Sequence, residues 1–286
     1  MNQNRKTAGV KMFSFILCLI CSISVQGQAV RFFEGTVEEA ITKATQEKKY
    51  IYIDAYTDWC TPCIKMDKDL FADSASAAFL NERFIVLKRE CWTDSAGLLF
   101  RDEFFAYAYP THYILTPQGE LCFAFSGYGD RQIFIDRLKD FLQKGASPTK
   151  AFIGSKLTGQ SKFYDLVNYS LKAGRNLVLS FEYKWDSVSK RGDLISLSFD
   201  TAQLGQRLSA LKKSLKIEEY FYNLFTAAII YHLQGDYHTS QVFVRKAYKM
   251  GNVPFRANRF PASPARLRLL LFLEDLNAKK ISPHSS

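Results

Sequence analysis

The chain has 286 residues, 47% of them hydrophobic and 23% charged, with 15 Gly, 8 Pro and 6 Cys. That composition excludes a disordered, collagen-like or disulfide-stapled small protein, and the length suits about two packed domains. The net charge of +10 is divided unevenly: residues 30–146 carry 14 Lys+Arg against 18 Asp+Glu, and residues 147–286 carry 21 against 10.

Residues 1–29 contain Arg5, Lys6 and Lys11, no acidic residue, and the start of an uncharged run from Met12 to Val30. The dense apolar part, Met12 to Cys21, is shorter than the roughly 20 residues needed to cross a bilayer. Gly27-Gln28-Ala29 supplies small residues at a cleavage spacing, so the segment reads as a signal peptide removed near Ala29, with a retained membrane anchor as the alternative. Cys18 and Cys21 leave with it. The mature chain keeps Cys60, Cys63, Cys91 and Cys122 and works in an exported, periplasm-like setting where disulfides persist. Export disfavours nucleic acid as a partner. The basic second half suits an acidic protein or an anionic membrane surface, or is simply a solvated helical surface.

In chain order, Thr36-Val37-Glu38-Glu39 is a capping box that opens an amphipathic helix to about Lys48. Tyr50 to Ala55 is a continuous apolar run, as in a strand covered on both faces, and Asp54 is the anomaly in it. Cys60-Thr61-Pro62-Cys63 follows at a strand-to-helix turn, before helical spacing from Ile64 to Leu70. A second helix fits Asp73 to Glu82, and Phe84 to Lys88 reads as another strand. Asp94 caps a helix to about Phe105, and His112 to Leu115 with Leu121 to Phe125 make a hairpin around Pro117-Gln118-Gly119-Glu120. Arg131 to Lys144 closes the domain. Strands alternating with helices, then a terminal hairpin and helix, predict an α/β sheet of mixed direction.

Trp59-Cys60-Thr61-Pro62-Cys63, with an Asp six positions before the first Cys and Tyr109-Pro110-Thr111 downstream, resembles the thioredoxin family. Asp54 to Cys60 is most similar to the carboxy-terminal domain of bacterial membrane thiol:disulfide interchange proteins. The resemblance covers about residues 32–146 and implies a thioredoxin-like fold acting as a thiol:disulfide oxidoreductase without a cofactor. It implies a Cys60–Cys63 disulfide, with Cys60 as the exposed attacking thiolate and Cys63 as the resolving thiol. The start of a helix stabilises a thiolate, and Pro62 is tolerated in that first turn. Asp54, desolvated in its strand, is a candidate proton relay to Cys63, the alternative being a turn cap. Lys88 matches the lysine that faces this aspartate, or is a surface lysine. Tyr109-Pro110 corresponds to the family's cis-proline, so Trp59, Tyr109, Pro110 and Thr111 are the candidate substrate-binding residues. The 47 residues from Cys63 to Pro110 leave no room for the large helical insertion of disulfide-forming oxidases, which favours a reductase or isomerase.

Zinc is not expected, because one C-x-x-C supplies two ligands and no second pair follows. Cys91 and Cys122 are predicted to lie two strands apart, too far for a disulfide, with Cys122 as buried filler and Cys91 either buried or a third redox thiol. Expected partners are proteins bearing disulfides or thiols and a membrane electron donor.

Residues 147–286 show helical spacing and no strand pattern, which predicts an all-helical second domain. Tyr220 to Met250 is weakly similar to a single tetratricopeptide hairpin, or is an ordinary helical hairpin. Ser263-Pro264 opens a last helix. A reading of another class makes the helical half an adaptor that binds partners, with the first domain as its platform.

Overall fold

The computed structural model describes residues 29–145, 161–186, 191–253 and 262–282. The signal segment proposed for residues 1–29 and the boundary placed at 146/147 lie essentially outside them. No helix among the described residues is long and apolar enough to cross a membrane.

Helix α1 (Val37–Glu47) begins at the predicted capping box, with both reciprocal bonds of Thr36 and Glu39 formed, and ends at Lys48 in the left-handed region. Strand β1 (Tyr50–Tyr56) leads into α2 (Thr61–Met66), which runs on through a π-helical turn, Asp67–Phe71. Then follow α3 (Ser74–Arg83), β2 (Phe84–Glu90), α4 (Ser95–Phe104), β3 (Thr111–Leu115), β4 (Leu121–Ser126) and α5 (Arg131–Lys144). Asp73, Asp94 and Asp130 cap α3, α4 and α5 through their side chains.

The sheet has the order β2-β1-β3-β4, with β1 and β2 parallel and the other pairs antiparallel. β1 is central and both its faces are covered, which is why it reads as an unbroken apolar run. One face packs Tyr52, Val86, Ile114 and Phe125 against Met66, Leu70, Phe134 and Phe141. The other packs Ile53, Leu87 and Tyr113 against Phe100 and Phe104, and this core continues into the second half of the chain. The Arg131–Lys144 helix therefore closes only one face of the sheet.

The second half comprises α6 (Ser161–Gly174), β5 (Val178–Asp186), β6 (Arg191–Phe199), α7 (Leu204–Ile217), α8 (Phe221–Leu233), α9 (Tyr237–Gly251) and α10 (Pro264–Ile281). Helices dominate it, as expected, but β5 and β6 form an antiparallel hairpin, so the addition is not all-helical. The reason is legible in the chain: Leu179, Phe181, Tyr183 and Trp185 alternate with Ser180, Glu182 and Lys184, a period of two. Helices α8 and α9 form the antiparallel hairpin foreseen around Gln234-Gly235.

A buried charge cluster closes the seam between the halves. Arg266 of α10 reaches Glu103 at 2.5 Å and Asp102 at 3.5 Å, and it donates to the Leu99 carbonyl oxygen. Asp102 also accepts the Ser263 backbone N–H at 2.9 Å. Elsewhere along the seam the Asn168 side chain pairs with both backbone groups of Leu121.

Candidate active site

Cys60 is the N-cap of α2 and is disulfide-bonded to Cys63, with Cα atoms 5.2 Å apart. Its Sγ accepts the Cys63 backbone N–H at 3.3 Å. Unpaired amides at a helix start favour negative charge, so this sulfur is the better thiolate once the bond opens. In the disulfide state the expected contrast in exposure is small, Cys60 being 5% exposed and Cys63 3%, because the bond ties the Cys60 sulfur back over the helix.

Trp59, which precedes Cys60 in the chain, meets the proline loop named from the sequence. The Tyr109–Pro110 peptide bond is cis. Tyr109 packs edge-on against Trp59, 54% exposed, at 6.1 Å, and its hydroxyl reaches the Cys91 carbonyl oxygen at 3.4 Å. Thr111 is buried; its hydroxyl donates to the Ala108 carbonyl oxygen at 2.7 Å and pairs with Ser126, so its side chain holds the shape of the proline loop.

Asp54 lies in β1, 1% exposed, on the face that carries Met66 and Phe134. The register sets Lys88 beside it on β2 and His112 beside it on β3. The Lys88 ammonium is 4.0 Å from Asp54 Oδ2, but its close partner is Asp67, and it sits 4.2 Å above the Tyr56 ring. Lys88 is therefore a largely buried cation shared by two carboxylates, not a surface lysine. Asp54 Oδ1 has no hydrogen-bond partner among the described residues. Burial outweighs the pull of Lys88 and raises the Asp54 carboxyl to about 7. A carboxyl in that range can take and return a proton near neutral pH.

Sequence reasoning missed two residues here. His112, wholly buried, approaches Asp54 Oδ1 at 3.6 Å through Nδ1. Its signal was available, since a histidine in an otherwise apolar strand is the same anomaly that marked Asp54. Trp92 packs edge-on against Trp59 at 5.8 Å and extends the aromatic surface beside the disulfide. Its loop is held by the Glu90 carboxylate, which accepts the backbone N–H groups of Trp92, Thr93 and Asp94. Gly97 fits under this turn because a Cβ there would stand 1.8 Å from the Glu90 carbonyl oxygen.

Cys91 and Cys122 lie on opposite edges of the sheet, as predicted. Cys91 is buried and burial pushes its thiol well above the ordinary range, so it is not poised for redox chemistry. Cys122 is half-buried, with its thiol pushed up to about 12. Among the described residues no group of three or more His, Cys, Asp or Glu is placed to hold a metal ion.

Residues 33–117 match the family described as Thioredoxin-like. No curated protein matches the chain. Among solved structures, a candidate disulphide-isomerase from Bacteroides thetaiotaomicron is 28% identical, with a TM-score of 0.38, over 42% of this chain and 98% of that one. A thioredoxin from Thermus thermophilus is 21% identical, with a TM-score of 0.37, over 41% of this chain and 91% of that one. The DsbD C-terminal domain of Neisseria meningitidis in its oxidised form is 17% identical, with a TM-score of 0.33, over 39% and 98%. The family match gives the chain a thioredoxin-family domain, and a predominantly helical second half extends it. With its Cys60–Cys63 disulfide at the start of α2, that domain is a thiol:disulfide oxidoreductase.

Proposed function

We propose that the protein is an exported reductase or isomerase of protein disulfides. The observation that carries the reading is a Cys60–Cys63 disulfide at a helix start in a domain that also holds the buried Asp54, short of partners and with a carboxyl near 7. In the reducing direction the Cys60 thiolate attacks a client disulfide, joining one client sulfur and releasing the other as a thiolate, which takes up a proton. Cys63 then gives its thiol proton to the Asp54 carboxylate and attacks the Cys60 sulfur, which breaks the Cys60–client bond and expels the second client sulfur as a thiolate; that thiolate takes up a proton and Asp54 gives its own back to solvent. The client leaves as a dithiol, and the two electrons it gained come from the Cys60–Cys63 pair, which is left as the disulfide. Trp59, Trp92, Tyr109 and the cis-proline loop form the surface on which an extended client segment lies. Lys88 helps hold Asp54, and reduction of Cys60–Cys63 by a membrane electron donor completes the cycle. The basic second half is available to an acidic protein or an anionic surface.

The test is Cys63→Ser in the full chain under oxidising export conditions. Attack through Cys60 still occurs while resolution cannot, so mixed disulfides with client proteins accumulate and disappear on reduction. Recovery of no such adducts, with the variant folded, would refute the reading.

A further inference from the structure

His112 occupies a wholly buried place, packed against Phe125 and Phe134 at centroid distances of 4.7 and 4.9 Å and stacked on Tyr52 at 5.9 Å. Its Nε2 lies 3.3 Å from the Gly127 carbonyl oxygen, which can only accept, so Nε2 carries the ring proton and Nδ1 presents a lone pair. The Tyr52 hydroxyl, 2.8 Å away, donates to that lone pair. Asp54 Oδ1 stands 3.6 Å from the same nitrogen. One lone pair therefore has two rival donors, the Tyr52 hydroxyl and the protonated Asp54 carboxyl, and Tyr52 has it.

We propose that Tyr52 and His112 are positioning residues that set how readily Asp54 releases its proton: Tyr52 eases release by denying the carboxyl an acceptor, while the His112 lone pair opposes it. Burial drives His112 down to about 3, so the ring stays neutral and the lone pair persists throughout the working range. The other groups around the pair fit this. Lys88 on β2 and Asp67 on the π-helical turn pull the Asp54 carboxyl in opposite directions, and Tyr56 and Cys91 sense its charge from the strand ends. Arg137 of α5 helps keep His112 neutral, and Tyr128 faces Tyr52. For its catalytic meaning the inference rests on Asp54 being the proton acceptor for Cys63.

The experiment compares Tyr52→Phe and His112→Leu with the parent in the full-length oxidised chain. The Asp54 carboxyl is titrated by carbon-13 NMR in the absence of any client. Tyr52→Phe frees Nδ1 to accept from the protonated carboxyl, so the titration midpoint rises by roughly 0.5–1 pH unit, the scale of one hydrogen bond. His112→Leu removes the opposing lone pair and frees the Tyr52 hydroxyl, so the midpoint falls by a similar amount. Shifts of opposite sign establish the inference, because loosened packing would move both variants the same way. Shifts of the same sign, or none, overturn it. Should His112→Leu fail to fold, Tyr52→Phe decides alone, since it deletes a single oxygen; a fall or no change there overturns the inference. The pH profile of mixed-disulfide resolution follows the carboxyl if Asp54 serves Cys63. Opposite carboxyl shifts with an unmoved profile would sustain this inference and sink the role given to Asp54 above.

Discussion

Asp54 and Asp102 are both buried carboxylates, and the protein treats them in opposite ways. Asp102, at the end of α4, is wholly buried and accepts the Ser263 N–H at 2.9 Å, with Arg101 and Arg266 each at 3.5 Å. Among the described residues, Asp54 has its nearest cation at 4.0 Å, a cation engaged elsewhere, and one oxygen without a hydrogen-bond partner. Burial raises both carboxyls, but at Asp102 two guanidiniums and a backbone amide oppose it. A buried charge with good partners fastens the two halves of the chain together. One left short of partners keeps a proton within reach of neutral pH, as the role proposed for Asp54 needs.

The largest effect expected from breaking this contrast lies at the seam. Arg266→Met leaves the buried Asp102 with Arg101 alone beside it and takes its close partner from the half-buried Glu103, and losing one member of a buried pair costs about 3–5 kcal/mol. Denaturant unfolding of the full chain measures it as a large drop in midpoint. An unchanged midpoint would mean that these charges are solvated and that apolar packing alone holds the halves together.

Asp54→Asn should act in the opposite sense on stability. The folded carboxyl keeps its proton up to about pH 7, whereas the unfolded one releases it near 4. The native state therefore loses relative stability as pH climbs between those values, and the deficit persists above pH 7. Asparagine removes the deficit, so the variant gains about 2–4 kcal/mol at pH 8 and nothing at pH 3. Its resolution step slows about 10- to 100-fold, a general-base effect read by single-turnover kinetics. A variant that is less stable and resolves at the parental rate would show Asp54 to be a plain structural hydrogen-bonding residue.

The smallest effect sharpens the comparison most. Between about pH 4 and 6.5 the raised Asp54 makes stability fall with pH, while His112, held near 3 instead of 6.5, makes it rise, so the two slopes cancel. Relative to the parent, Asp54→Asn should add a positive slope and His112→Leu a negative one, each about 1 kcal/mol per pH unit. Unfolding midpoints at half-unit pH intervals test this, and parallel profiles for all three proteins would contradict it.

Much of the site was legible because its signals are local. A cysteine pair at a strand-to-helix turn, an aspartate in an apolar strand and a proline before another strand each sit within a few residues of what makes them unusual. The β5–β6 hairpin was legible too, in the strict alternation from Leu179 to Trp185, although the helical spacing on either side of it masked the change of period.

What the chain determined by itself, then, is the order of elements in the first half, the helix caps and the cysteine pair, since these follow from neighbouring residues and backbone chemistry. Only the tertiary structure decided which groups face Asp54 and which charges close the seam. His112 meets Asp54 through strand register, Lys88 is diverted to Asp67 by the turn that follows α2, and Arg266 finds Asp102 across more than half the chain. Proton affinity in a core depends on desolvation and on charges a few ångströms away, and those distances are properties of packing that no local pattern encodes.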